Sequence, residues 1–171
     1  LMKFAGYDVT REYYVNDAGN QIRNMAYSLQ ARYLQKCGID AELPEDGYHG
    51  PDLIMIADKI FEEVQDKYAK MDKEESYSFF REYGLNAELQ KLKDDLSLFR
   101  VEYDVFTSEQ SIYDRGLVKK ALDTLIAQGM TYKNDGALWL KTTEFGDDKD
   151  RVLRKTDGSY TYLTPDIAYH V

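Results

Sequence analysis

Two side chains near the end of the chain, Tyr162 and Asp166, flank a predicted strand-to-helix junction. The stretch 159–170 begins with alternating aromatic and polar residues, typical of a strand, and then has Thr164 as a helix N-cap and Pro165 as the first helical residue. In open α/β sheets, ligands bind in the crevice beyond the carboxyl ends of the strands. A carboxylate there can pair with an ammonium or a guanidinium, and a two-point contact favours guanidinium. Asp166 could equally serve only to complement the helix dipole, and the spacing alone leaves both interpretations open.

A second predicted junction lies near the other end of the chain. Residues 7–16 are rich in β-branched and aromatic side chains and predict a strand that runs directly into a helix. Three polar side chains lie at the start of this helix: Asn16, Asp17 and Gln21. Taken alone, Asn16 or Asp17 is best interpreted as a helix cap. In a parallel sheet, however, both junctions would open on the same edge.

The rest of the chain predicts helices and hairpins between the two junctions. The predicted elements are, in chain order, a helix ending at 37–38, a polar loop over 39–50, a helix opened by Pro51, an irregular surface helix over 66–83, an amphipathic helix over 85–99, a strand over 101–108 hydrophobic enough to be central, a helix over 117–126, a hairpin of 130–133 with 137–141, an acidic loop over 143–150, and a second hairpin of 151–156 with 159–163. The first hairpin turns at Asn134-Asp135-Gly136, and its Trp139 is expected in the core. The acidic loop lacks the ligand spacing of a calcium loop, so we expect no metal there.

The composition restricts the class of function. Lys and Arg number 22 against 31 Asp and Glu, a formal net charge of -9, and no basic cluster is present. An RNA-binding module is therefore disfavoured, because phosphate contacts supply most nucleic-acid affinity. The single Cys37 excludes a disulfide framework, and no stretch is long and apolar enough for a signal peptide or a membrane span. We expect a cytoplasmic protein with no membrane partner, and the chain ends suggest a piece of a longer protein.

Four long motifs resemble one family, in the same order along the chain. They are residues 12–22 (EYYVNDAGNQI), 136–139 (GALW), 142–153 (TTEFGDDKDRVL) and 161–170 (TYLTPDIAYH). These motifs are similar to those of bacterial arginyl-tRNA synthetases, in the part of the catalytic domain that follows the first nucleotide-binding motif. Because the resemblance covers essentially the whole chain, it marks the sequence as an internal fragment of such a catalytic domain.

The resemblance implies an α/β fold, namely part of the Rossmann-type catalytic domain of a class I aminoacyl-tRNA synthetase with a mainly helical insertion. Residues 1–38 and 100–171 would then belong to the catalytic domain, including its connective hairpins. Residues 39–99 would form the insertion. Both boundaries are approximate.

The resemblance also implies an arginine–tRNA ligase as the full-length parent. Such an enzyme activates arginine with ATP, accompanied by Mg²⁺, to give arginyl-adenylate and pyrophosphate, and then transfers arginine to tRNA-Arg. The family's Tyr-Leu-Thr-x-Asp motif contacts arginine, and its Tyr and Asp match Tyr162 and Asp166 here. Asp166 would pair with the guanidinium while Tyr162 lies alongside. Asn16, Asp17 and Gln21 match a family signature at the other junction and are possible pocket residues.

Two nucleotide-binding motifs of the family are missing from these 171 residues. The His-x-Gly-His motif is expected before Leu1 and the Lys-Met-Ser-Lys-like loop after Val171. We therefore expect the fragment alone to be inactive and to bind no ATP tightly, and to supply one wall of the arginine pocket. The alternative is a non-catalytic, synthetase-like module that binds arginine or a protein partner.

Overall fold

The computed structural model describes residues 1–170, which form helices and short strands in two compact units. The first unit contains Leu1–Glu12 and Asp17–Val105, and the second contains Tyr13–Asn16 and Phe106–Val171. The elements are β1 (Glu12–Val15), α1 (Asn20–Lys36), α2 (Pro51–Val64), α3 (Lys73–Leu98), β2 (Val105–Ser108), α4 (Glu109–Asp114), α5 (Leu117–Ala127), β3 (Thr131–Asn134), β4 (Ala137–Leu140), a 3₁₀ turn (Thr142–Phe145), β5 (Arg151–Arg154) and α6 (Leu163–His170). No helix in this described part of the chain is both long and apolar enough to cross a membrane.

The first unit is built on three helices, because each places an apolar stripe against the other two. Its core consists of the buried residues Met25, Leu29, Tyr33, Leu53, Ile56, Ala57, Ile60 and Phe80. Tyr33 is fully buried and still satisfies its hydroxyl, which donates to the Gln65 carbonyl at 2.6 Å and accepts from the Tyr68 backbone N–H at 3.1 Å. The predicted helices that end at Cys37-Gly38 and begin at Pro51 are confirmed.

Helix α3 corrects the prediction of two separate helices over 66–83 and 85–99. It is continuous over Lys73–Leu98 and begins at the N-cap Asp72, whose carboxylate accepts the Glu74 N–H at 2.9 Å. Phe80, expected at the surface, is fully buried. Gly84 does not interrupt the helix because it allows close packing: a Cβ there would lie 2.6 Å from the Met25 sulfur.

Helices α4, α5 and α6 pack with a three-stranded antiparallel sheet in the second unit. The sheet order is β3-β4-β5, and the core is formed by Ile112, Val118, Ala121, Leu122, Leu138, Leu153 and Ala168. The first predicted hairpin is confirmed, with Asn134 opposite Ala137 and positive φ at both Asp135 and Gly136. Those two dihedrals are what a two-residue hairpin turn requires, and Asp-Gly provides them at low cost.

The predicted strands are shorter than their patterns suggested. Strand formation over 7–16 is limited to Glu12–Val15, and over 101–108 to Val105–Ser108. These two strands form a sheet of their own, so the second is not a central strand. The segment 159–163 is not a strand: it makes a single bridge, Tyr160 with Arg154. The junction that contains Tyr162 and Asp166 therefore does not follow a strand, and within residues 1–170 the two junctions do not share a sheet.

Helix α1, expected in the catalytic part, packs against α2 and α3, which lie in the predicted insertion. Apolar side chains of all three helices share one core, as expected for an amphipathic bundle. The division of the chain into catalytic residues 1–38 and 100–171 and inserted residues 39–99 stays a prediction.

Candidate functional site

Helix α6 contains Asp166 and directly follows Tyr162, the two residues that the sequence singled out, and it is fixed to β5 by a buried hydrogen bond. The hydroxyl of Thr164 is buried and donates to the Leu153 carbonyl of β5 at 2.6 Å. The same carbonyl accepts the Thr161 N–H at 3.0 Å. Ala168, one turn further along the helix, is also buried in the core of the second unit. One face of α6 is therefore fixed, which leaves the opposite face available to a ligand.

The predicted start of this helix is wrong by two residues. Thr164 is not the N-cap, because α6 begins at Leu163 and the Thr164 side chain is used across the core. Pro165 is the third helical residue rather than the first. A proline is tolerated there because the first-turn N–H groups have no partner within the helix.

Tyr162 and Asp166 lie one helical turn apart. The Asp166 N–H donates to the Tyr162 carbonyl at 3.4 Å, and residues four apart lie on the same face of a helix. The Tyr162 side chain is 81% exposed, and Asp166 is also exposed. Within residues 1–170, neither side chain makes a hydrogen bond or an ion pair. A phenol and a carboxylate are thus presented side by side, and no fold-stabilising contact accounts for them.

Three residues that the sequence analysis did not select lie beside this pair. Tyr113 of α4 stacks on Tyr160, with ring centroids 6.4 Å apart and an interplanar angle of 28°. Partial burial raises the pKa of the Tyr113 phenol, and the nearby Glu109, Tyr160 and Asp166 raise it further. Glu109 itself is buried at the first position of α4. Negative charge therefore accumulates on this side of the second unit, which suits a cation and keeps Tyr113 protonated.

The sequence signal for this neighbourhood was weak. Helix α4 has only six residues, too few for a 3.6-residue periodicity to show, so Glu109 and Tyr113 were not assigned to a helix. A Tyr at position 113 followed by Asp114 only indicated an approach to the next helix. Proximity to Asp166 arises from the packing of α4 on α6, which no local pattern reveals.

The other predicted pocket residues divide between the two units. Asn16 is exposed and ends the short segment of the second unit, whereas Asp17 and Gln21 belong to the first unit. Capping does not explain them, because the N-cap of α1 is Gly19 and no side chain bonds to it. Asp17 is held through its backbone carbonyl, which accepts the Arg81 guanidinium at 2.9 Å. Their assignment to the pocket stays a prediction.

The acidic loop after β4 is closed by its own hydrogen bonds. Both oxygens of Asp147 accept from Arg151, at 2.8 and 2.7 Å, and this pairing holds the pKa of that carboxyl well below its usual range. Asp150 accepts both the N–H and the hydroxyl of Thr143, at 3.0 and 2.8 Å. In residues 1–170 there is no group of three or more His, Cys, Asp or Glu side chains arranged to hold a metal ion.

Comparisons with known proteins agree on one family. The family profile described as tRNA synthetases class I (R), catalytic domain, matches residues 1–171. The chain is 57% identical to an arginine–tRNA ligase of Bacillus cereus and 58% identical to one of Halalkalibacterium halodurans, in each case over 99% of this chain and 31% of the relative. A solved Campylobacter jejuni structure, assigned as an arginyl-tRNA synthetase, superposes with a TM-score of 0.84 at 31% identity, over 99% of this chain and 37% of that one.

The fold is that of a class I aminoacyl-tRNA synthetase catalytic domain, present here as mixed helices and strands with a partial sheet. Within that class, the chain belongs to the family of arginine-specific tRNA synthetases, as the family profile over its full length shows. The predicted family and fold class are thereby confirmed. The chain spans 31% of the length of the curated relatives cited above.

Proposed function

We propose that this chain is part of the catalytic domain of an arginine–tRNA ligase and that Tyr162 and Asp166 form one wall of its arginine pocket. The observation that supports the proposal best is the exposed pair of Tyr162, just before α6, and Asp166, in its first turn, whose side chains have no partners among the described residues. The relatives at 57% and 58% identity are arginine–tRNA ligases, which makes arginine the cation of first choice.

Asp166 recognises the guanidinium in this proposal. A carboxylate can accept two parallel N–H bonds from the planar fork of arginine, which gives direction as well as attraction. Tyr162 places its ring and hydroxyl beside that contact. Lysine is rejected because a single ammonium cannot reproduce two parallel bonds, so one buried or oriented acceptor is left unpaired.

The chemical step requires no nucleophile from this chain. The carboxylate of arginine attacks the α-phosphorus of ATP, which is a substrate together with its Mg²⁺, and pyrophosphate leaves. A hydroxyl at the 3′ end of tRNA-Arg then attacks the carbonyl carbon of the resulting arginyl-adenylate, so that the arginyl ester forms and AMP leaves. The residues proposed here act by positioning: a guanidinium fixed at Asp166 orients the other end of the amino acid. We also propose a cytoplasmic location without a membrane partner.

The test uses the full-length protein and arginine-dependent exchange of pyrophosphate into ATP. Asp166→Asn keeps the size of the side chain and removes its charge. We expect kcat/KM for arginine to fall roughly 5- to 150-fold, mainly through a higher KM, which corresponds to a loss of about 1–3 kcal/mol of transition-state stabilisation. The matched control is Asp123→Asn, an exposed carboxylate on α5 paired only with Lys119. That variant should exchange like the wild type.

Two results would contradict parts of the proposal. Unchanged arginine kinetics in Asp166→Asn would remove the pocket assignment while leaving the ligase intact. Binding of arginine with no exchange in the full-length wild type would support the alternative, a non-catalytic synthetase-like module.

A further inference from the structure

We propose that Tyr113 is a specificity-determining residue of the arginine pocket, where its hydroxyl contacts the guanidinium that Asp166 holds. The inference rests on the proposed function and deepens it by naming a residue outside the two junction motifs. It assigns Tyr113 to the substrate rather than to the core.

The ring of Tyr113 is fixed in place by its surroundings. Helix α4 packs on α6, and Tyr113 is half-buried against the apolar cluster of the second unit, on which Leu163 and Ile167 also pack. The stack on Tyr160 limits rotation of the ring about its remaining torsion. A side chain held this way loses little entropy when a ligand binds, which favours a recognition role.

The phenol of Tyr113 has charged groups in its neighbourhood as well as apolar ones. Asp166 and Glu109 are among the charges that act on the phenol, which places it within electrostatic range of both carboxylates. Within residues 1–170, this hydroxyl makes no hydrogen bond. The half-buried Tyr113 phenol and the exposed Asp166 carboxylate both have unused hydrogen-bonding capacity. One ligand group with several donors could bond to both of them.

A planar guanidinium meets these requirements. It has five N–H donors, of which two can bond to Asp166 while another reaches a neighbouring acceptor. The oxygen of a neutral phenol can accept that third bond, and the raised pKa of Tyr113 keeps the phenol neutral. A lysine ammonium at the same carboxylate would not span both groups, because its three donors radiate from one atom.

The experiment measures arginine-dependent pyrophosphate exchange in full-length Tyr113→Phe. Phenylalanine keeps the stack on Tyr160, so we expect a folded protein with KM for arginine raised roughly 5- to 20-fold and kcat changed less than about twofold, as for loss of one hydrogen bond to a charged group. Tyr132→Phe is the matched control, because it removes a hydroxyl that bonds only to Asp150, at 3.0 Å, in the hairpin. Its arginine KM should equal that of the wild type.

A structural role and a recognition role give different results. If Tyr113 only packed, Phe would leave KM unchanged, and that result would overturn the inference. A lower kcat with an unchanged KM for arginine, measured with both arginine and ATP saturating, would also overturn the inference. Failure of this inference is separable from failure of the proposed function, because Asp166→Asn would still raise the arginine KM in the first case and would not in the second.

Discussion

Replacement of Thr164 tests whether α6 is held to β5 by one buried hydrogen bond. The Thr164 hydroxyl donates to the Leu153 carbonyl at 2.6 Å, in a position that is 1% exposed. Thr164→Val keeps the shape and removes the donor. The carbonyl retains its second bond, from the Thr161 N–H at 3.0 Å, so the loss should be that of one net hydrogen bond, about 1–1.5 kcal/mol.

Two further substitutions separate the hydrogen bond from the packing. Thr164→Ser keeps the donor and loses one buried methyl group, which should cost about 0.8–1 kcal/mol. Thr164→Ala loses both and leaves a small cavity, so we expect about 2–3 kcal/mol. The predicted order of destabilisation is therefore Ala first, then Val, then Ser.

Native-state hydrogen exchange in the full-length protein is the suitable assay, because global unfolding of a protein with several units need not be two-state. The peptide that covers 150–170 reports on opening of α6 from β5, and its loss of protection gives the local free energy. If Ser destabilised as much as Ala while Val exchanged like the wild type, packing of the methyl group would be the dominant contribution, and the hydrogen-bond argument would be refuted.

Two pH predictions follow from ionisable groups in the first unit. The hydroxyls of Tyr27 and Tyr83 donate to Glu74 and Glu63, at 2.7 and 2.8 Å, and both phenols have a pKa raised to about 12, chiefly by the Glu74 hydrogen bond for Tyr27 and by burial for Tyr83. Because the pKa of each phenol is higher in the folded state, its contribution to stability is complete below the unfolded pKa of about 10 and is lost as the pH rises towards 12. The double variant Tyr27→Phe/Tyr83→Phe lacks both phenols. Its Tm should therefore fall less steeply than the wild-type Tm between about pH 10 and pH 12. Asp104 accepts three bonds from Arg11, which lower the pKa of its carboxyl to about 2. The contribution of this carboxylate to stability is present above its unfolded pKa of about 4 and disappears as the pH falls to 2. The urea midpoint should therefore differ less between pH 6 and pH 2.5 in Asp104→Asn than in the wild type. An unchanged difference would show that the Asp104–Arg11 pair contributes nothing measurable.

Elements with a local cause could be predicted from the sequence. The hairpin at Asn134-Asp135-Gly136 is one, because two consecutive positive φ values require residues of this type. The start of α2 is another, since Pro51 is compatible only with the first turn of a helix. The family motifs predicted more than any local pattern did, because they indicate the fold of a whole catalytic domain, of which these 171 residues form a part.

Elements whose cause lies in distant contacts were predicted wrongly. Two helices were predicted over 66–83 and 85–99, yet the helix is continuous through Gly84, which is buried because Met25 and Leu29 approach the backbone of α3 there. Thr164 has the preferred identity of an N-cap, but the Leu153 carbonyl offers its hydroxyl a buried partner and the helix starts earlier. In both cases tertiary packing outweighs a local preference worth about 1 kcal/mol.

The candidate arginine site also contains residues that the sequence could indicate and residues that only the fold brings near. Tyr162 and Asp166 could be singled out because a predicted junction and a family motif mark them, although the sequence placed Tyr162 in a strand and only Asp166 in the helix. Tyr113 and Glu109 precede Asp166 by more than 50 positions in the chain, and Tyr113 comes near it only through the packing of α4 on α6. A pocket wall that combines elements distant in sequence can be completed only once the fold is known.

The acidic residues of the chain are unevenly distributed between the two units. The first unit carries 21 Asp and Glu against 13 Lys and Arg, whereas the second carries ten against nine. The net charge of -9 therefore resides almost entirely in the helical unit. Repulsion of a polyanion such as ATP or tRNA is concentrated there, and it falls off within about 8–10 Å at physiological ionic strength. The unit that carries Tyr162 and Asp166 is nearly neutral when taken by itself, so the whole-chain charge overstates its acidity and is a weak argument against a phosphate-bearing substrate at the proposed arginine pocket.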